Sequence, residues 1–128
     1  MPGVAIRSSF QSSSFNLLMM QTSELQWTSQ EQSIAKAAFD KAYQREIQAL
    51  VQLVRDQAGS ISSTDDVWRL HDFLSARRHQ LDGKYDERES ALLFVFADLV
   101  KEGWLSLDDL DGLDALKLSK ITALTRMM

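Results

Sequence analysis

Residues 65–90, DDVWRLHDFLSARRHQLDGKYDERES, decide how this chain is read. On a helical wheel at about 100° per residue, Val67, Leu70, Leu74 and Leu81 fall on one apolar stripe. Trp68, His71, Asp72, Ser75 and His79 form an adjacent band, with Arg78 on the boundary between the two. A helix that had only to cover a core would carry Lys and Glu on that second face. This one carries an indole, two imidazoles, a carboxylate and a guanidinium within about three turns.

The segments on either side extend the helical pattern. Thr28-x-x-Glu31 has the spacing of a capping box, so a first helix is expected to start there. Ile34, Ala38, Ala42, Ile47, Leu50, Val51, Val54 and Ala58 then recur at helical intervals, and Gly59 is the expected stop. Such a helix, about 30 residues against an average of about 12, needs cover from beyond its own short chain. That points to an oligomer. Ser63 or Thr64 should cap the second helix, with Asp65 and Asp66 at the positive end of its dipole and Gly83 at its end. Asp86 and Glu89 are expected to open a third helix that Gly103 closes. From Ala91 to Val100 this helix is apolar nearly all round, so burial on two sides is expected, with Phe94 the residue expected outside the core. Ser106 should cap a short turn through Leu110, Gly112 should break it, and Asp114 should start a last helix with Leu116, Ile121, Ala123 and Leu124. No period-two alternation of β-branched or aromatic residues appears. The expected fold is all-α: four main helices plus one short one, with a long first helix, in a helical homodimer.

Two regions are expected. Residues 1–27 form a flexible arm carrying Ser8, Ser9, Ser12, Ser13, Ser14 and Ser23, and the stretch FNLLMM within it is too short for a signal-peptide core. It is either a disordered arm or the product of an upstream start that the cell does not use. Residues 28–128 form a single helical domain. The 128 residues are 45% hydrophobic, enough for one core. A net charge of −4 and a pI near 5.1 argue against nucleic-acid binding, which needs clustered basic surface. The absence of Cys excludes disulfides and thiolate chemistry. No apolar run approaches the roughly 20 residues that cross a bilayer, so a soluble protein is expected.

Catalytic readings of the central stretch find little support in its chemistry. His71 beside Asp72 resembles half of a divalent-metal site, but His79 is the only other histidine and lies on the same face. Ser75, His71 and Asp72 cannot form a triad, because they radiate from one helix and face no oxyanion hole. Around Gly112, LDDLDGLDALKL would place Leu107 and Leu118 at calcium-ligand positions, which neither can fill. Trp68 has two readings, a core residue or an interface anchor. Trp and Arg are the types most enriched among interface hot spots, which favours Trp68 and Arg78 as anchors and Asp72 as a charge-assisted partner.

WRLHDFLSARRHQLDGKYDERES, followed by ALLFVFADLVKEG, resembles the fluorescence recovery proteins of cyanobacteria, and the likeness runs from about Gln26 to about Leu124. That family generally begins near Met19 or Met20 of this chain. The resemblance implies a cytoplasmic, all-helical homodimer without chromophore, cofactor or metal, working at the phycobilisome. It implies a non-enzymatic regulator that binds the photoactivated red form of the orange carotenoid protein through its C-terminal domain, speeds its return to the orange form and ends fluorescence quenching. Carried over residue by residue, activity would lie with Trp68, His71, Asp72 and Arg78, and partner binding also with Phe94 and Lys120. The dimer contact would comprise Val67 and Leu70 with Trp68, Asp72 and Arg78. The alternatives are a helical dimerisation module without this activity and, further off, a His/Asp hydrolase.

Overall fold

The structure, a computed structural model, describes residues 25–128; the Ser-rich stretch and FNLLMM lie outside the described residues. The chain forms α1 (Ser29–Gly59), α2 (Thr64–Lys84), α3 (Leu92–Glu102), a 3-10 turn (Leu107–Leu110) and α4 (Ala115–Met127). No strand occurs among the described residues beyond an isolated bridge between Asp111 and Leu113. The all-α expectation holds.

Local chemistry explains most helix ends. Thr28 Oγ1 accepts from the Glu31 N–H at 3.1 Å, and Glu31 Oε1 accepts from the Thr28 N–H at 3.2 Å, closing the expected box. Ser63 and Asp66 cap α2 in the same reciprocal way. Asp114 Oδ1 accepts from the N–H groups of Leu116 and Lys117 at the start of α4. Gly112 is required where it stands: its φ is 102°, and a Cβ there would meet Ile34 Cδ1 at 2.6 Å.

Two boundaries and one cap differ from expectation. α1 does end at Gly59, but its cap is Ser60 in right-handed geometry, and Gly59 does not adopt a positive φ. α2 runs through Gly83 to Lys84, because Lys84 and Tyr85 are tied to the other helices. Asp86 and Glu89 do not cap α3. Asp86 accepts from its neighbour Arg88, and Glu89 from Gln32 at 2.8 Å, so α3 starts at Leu92 without a side-chain cap.

The core lies at one end of the molecule. Leu93, Phe96, Leu99, Leu110, Ile121 and Leu124 are fully buried where α3 packs on α4. The first half of α1 covers them with Ala35, Ala38, Phe39 and Ala42, whose i, i+3, i+4 spacing makes one narrow face. Phe96 sits 4.9 Å from the Phe39 ring and 6.4 Å from Trp27, within the range of favourable aromatic pairs. Leu25 and Trp27 belong to this core, so packing begins before residue 28.

Beneath it, Glu31 and Lys117 form a buried ion pair at 3.0 Å, with Lys117 Nζ also 5.1 Å from the Trp27 ring. Glu31 Oε2 accepts from the Asp114 N–H, so one carboxylate joins the starts of α1 and α4. Burial pushes the Glu31 carboxyl up, but the hydrogen bonds from Asp114, Thr28 and Lys117 outweigh it and hold it below its ordinary value. Asp109 is lowered by Arg45, the Ser106 N–H and Lys41 against an opposing burial effect, and Asp114 is lowered chiefly by the Lys117 N–H. A carboxylate lowered on folding stabilises the fold above its unfolded pKa and loses that contribution as pH falls through the folded one. Asp98, raised by burial and by Glu102, works in the opposite direction. With the lowered groups in the majority, the urea midpoint should fall as pH drops below the ordinary values of 4.5 and 3.8. A midpoint that stays level into that acid range would contradict the assignment.

Candidate functional site

After Glu46, α1 leaves the core, and none of its later residues is buried. Its last 13 residues extend roughly 20 Å beyond the core. α2 turns back along them for roughly 30 Å and has no buried residue at all. The molecule is therefore a head, built from α3, α4 and the first half of α1, with a two-helix arm. Leu53, Ile61, Leu70 and Phe73 line an open groove near the arm's tip.

The apolar stripe of α2 faces α1 only in part. Leu70, Leu74 and Leu81 are half-buried, while Val67 is exposed. The second band is exposed and carries Trp68, His71, Asp72, Ser75 and His79. Trp68 is 58% exposed, which removes its reading as a core residue. Its ring meets His71 edge-on at 6.0 Å, and His71 Nδ1 lies 3.2 Å from Asp72 Oδ1. Arg78 and His79 follow on the same exposed surface. Trp68, His71, Asp72 and Arg78 are thus brought onto one face of the arm, about 15 Å long from Trp68 to Arg78. Trp68 offers a large apolar surface with an indole donor, and Arg78 a planar cation, a pairing suited to protein contact.

Phe94 and Lys120 belong to the head instead. Phe94 is half-buried against the core at its rim, close to the position expected for it. Lys120 is buried in α4. The six residues are therefore distributed over two parts of the molecule, with Lys120 enclosed by the fold. Among the described residues, no group of three or more His, Cys, Asp or Glu side chains is placed to hold a metal ion. No helix among them is long and apolar enough to cross a membrane.

The sequence reading missed a cluster at the base of the arm. Glu46, buried at the edge of the head, accepts from Lys84 Nζ at 2.9 Å through both oxygens and from the Tyr85 hydroxyl at 2.8 Å. Lys84 also pairs with Glu102 at 2.9 Å. Burial, Glu46 and Glu102 together push the Tyr85 phenol upward. The signal lay in α1, where the buried line Ala35, Ala38, Phe39, Ala42 continues one turn on into a carboxylate.

A helical head bearing an arm with an uncovered apolar and aromatic face has the architecture of a helical interaction module, with surface suited to contact with other proteins, and comparison with known proteins gives its family. Residues 27–125 match the family described as photoprotection regulator fluorescence recovery protein. The chain belongs to the fluorescence recovery protein family. It is 52% identical over 109 residues to the fluorescence recovery protein of Synechocystis sp. strain PCC 6803, spanning 85% of this chain and all of that one. Among solved structures, it is similar to the fluorescence recovery protein of Fremyella diplosiphon, with a TM-score of 0.76 and 61% identity over 80% of this chain and all of that one. The Synechocystis structure matches with a TM-score of 0.76 and 52% identity, over 79% of this chain and 99% of that one.

Proposed function

We propose that this photoprotection regulator acts without covalent chemistry as a homodimer in the cyanobacterial cytoplasm, at the phycobilisome. There it binds the photoactivated red form of the orange carotenoid protein through that protein's C-terminal domain. It accelerates the return to the orange form and promotes detachment from the phycobilisome, so that quenching ends. The observation that carries this reading is the exposed Trp68, His71, Asp72 and Arg78 face on an arm with no buried residue of α2. Phe94 at the rim of the head is a second point of contact, and Lys120, being buried, supports the head surface from within.

Such a protein speeds a conformational return only by binding the barrier state more tightly than the starting state. Each tenfold gain in rate requires about 1.4 kcal/mol of that difference. Trp68 and Arg78, desolvated against a partner, are side chains of the kind that supply about 2 kcal/mol or more each at interface hot spots. Dark recovery of photoactivated carotenoid protein, followed by its red-to-orange absorbance change, should quicken when this chain is added below one-to-one stoichiometry. Trp68→Ala should slow that recovery at least tenfold relative to the unaltered chain. Unaltered recovery with Trp68→Ala would remove Trp68 from the mechanism. The open arm also fits a dimerisation module without this activity. A substitution at Trp68 or Asp72 that keeps the dimer intact and abolishes acceleration separates the two readings.

A further inference from the structure

α2 projects without a buried residue, yet its end is tightly bonded. Lys84, its last residue, donates to both oxygens of Glu46 at 2.9 Å and to Glu102 Oε1 at 3.1 Å. Tyr85, the next residue, donates its hydroxyl to the same Glu46, and its ring makes T-shaped contacts with Phe39 at 5.8 Å and Tyr43 at 5.5 Å. Glu46 is the last buried residue of α1, at the point where that helix leaves the head. Glu102 is the last residue of α3. Two carboxylates and one ammonium therefore tie three helices together where the arm departs.

The lever arm gives this place its consequence. A rod roughly 30 Å long, turned by about 10° at its base, moves its far end by about 5 Å. Trp68 is near that far end, whereas Phe94 is fixed in the head. Without the Lys84 ammonium, the Glu46, Asp98 and Glu102 carboxylates would share one groove, with Arg77, held 5.2 Å over the Phe73 ring, as its other cation.

We propose that Glu46, Lys84, Tyr85 and Glu102 form an ionic joint that sets the angle of α2 to the head, and that Glu46 and Lys84 are positioning residues for the Trp68–Arg78 face. The joint stands on the structure alone; its effect on recovery rests on the function proposed above. The joint fixes the span between the arm face and the head rim, so a partner that touches both meets them at a set separation.

The chain has no Cys, so labels can be placed cleanly. Exposed Ala76 on α2 and exposed Ser119 on α4 are replaced by Cys, spin-labelled, and diluted with unlabelled chain so that only distances within one chain are read. The unaltered joint should give one narrow distance distribution. Lys84→Met should at least double its width, Lys84→Arg should keep it narrow, and Tyr85→Phe, which retains both ring contacts, should fall between. Recovery should slow at least threefold with Lys84→Met and be restored with Lys84→Arg. An unchanged width with Lys84→Met overturns the joint, as does equal broadening with Lys84→Arg. Should Lys84→Met fail to fold, a Tyr85→Phe distribution identical to that of the unaltered chain overturns it. Altered distances in a chain whose unaltered form has no effect on recovery support the joint and overturn the functional reading instead.

Discussion

Glu31→Ala is expected to cost this fold about 3–5 kcal/mol, the range for removing one member of a buried charge pair. Both members are enclosed, Glu31 at 5% exposure and Lys117 at 3%. The substitution removes the acceptor for the Thr28 N–H, for the Asp114 N–H and for the Lys117 ammonium in one step. It leaves Lys117 with Asp114 Oδ2 at 3.4 Å and the Trp27 ring. In a folded unit of about 100 residues each kcal/mol moves the thermal midpoint by about 4–8 °C, so a drop of more than about 10 °C is expected. Lys117→Met should cost clearly less. Glu31 would keep its two backbone donors, and the Met side chain can lie along Trp27. Urea unfolding of both variants checks the order. A loss of less than about 1 kcal/mol for Glu31→Ala would mean that the ends of α1 and α4 are held by packing alone.

Glu31 also marks where the sequence was legible and where it was not. Its role as a cap follows from its spacing to Thr28, because a capping box is a contact between residues three apart. Its pairing with Lys117 spans 86 residues and leaves no trace in any local window. The same division runs through the chain. Ser63, Ser106 and Asp114 were legible as caps because their partners lie within the next few residues. Asp86 and Glu89 resembled caps equally well, but Arg88 and Gln32 take up their carboxylates, the second from 57 residues away. Gly83 resembled a stop, yet Lys84 has a partner 38 residues earlier that carries the helix past it.

The site divides in the same manner. The Trp68, His71, Asp72 and Arg78 face could be drawn on a wheel, since one helix fixes it. Whether that face is buried depends on what the rest of the chain does, and the structure leaves it open. The helix pattern marks Phe94 as the residue outside the core, but its partner role, like that of Lys120, comes only from a resemblance. Spacing puts Lys117 and Lys120 on one stripe with Ile121 and Leu124, but a hydrophobic pattern counts only apolar residues, so the inward lysines do not register in it. Glu46 is the instructive omission. A carboxylate continuing an apolar line one turn on is a sequence-level anomaly, and following it to the Gly83-Lys84-Tyr85 bend would have located the base of the arm.

Leu70→Glu is expected to convert the proposed dimer to a monomer while leaving the head folded. α2 has 21 residues and buries none, with Val67 and Trp68 exposed and Leu70, Phe73 and Leu74 only half covered by α1. On α1, Val51 is exposed and Leu50, Leu53 and Val54 are half covered. An apolar surface of this extent, continuous along both helices, is what a second copy would cover at the roughly 800 Å² per partner of a stable interface. A carboxylate placed at Leu70 would have to be desolvated there, which costs several kcal/mol. The dimer should be at least a hundredfold weaker than that of the unaltered chain, about 2.8 kcal/mol. Light scattering across a dilution series reads this directly, and helicity of the head should persist because the core around Phe96, Leu99 and Ile121 takes no residue from α2. Leu116→Glu provides the contrast. Leu116 is 55% exposed, more than Val67 at 44%, but it lies on the head. If Leu116→Glu separates the subunits and Leu70→Glu does not, the dimer contact belongs to the head and the arm is left for the partner; the reverse result places the contact along α2.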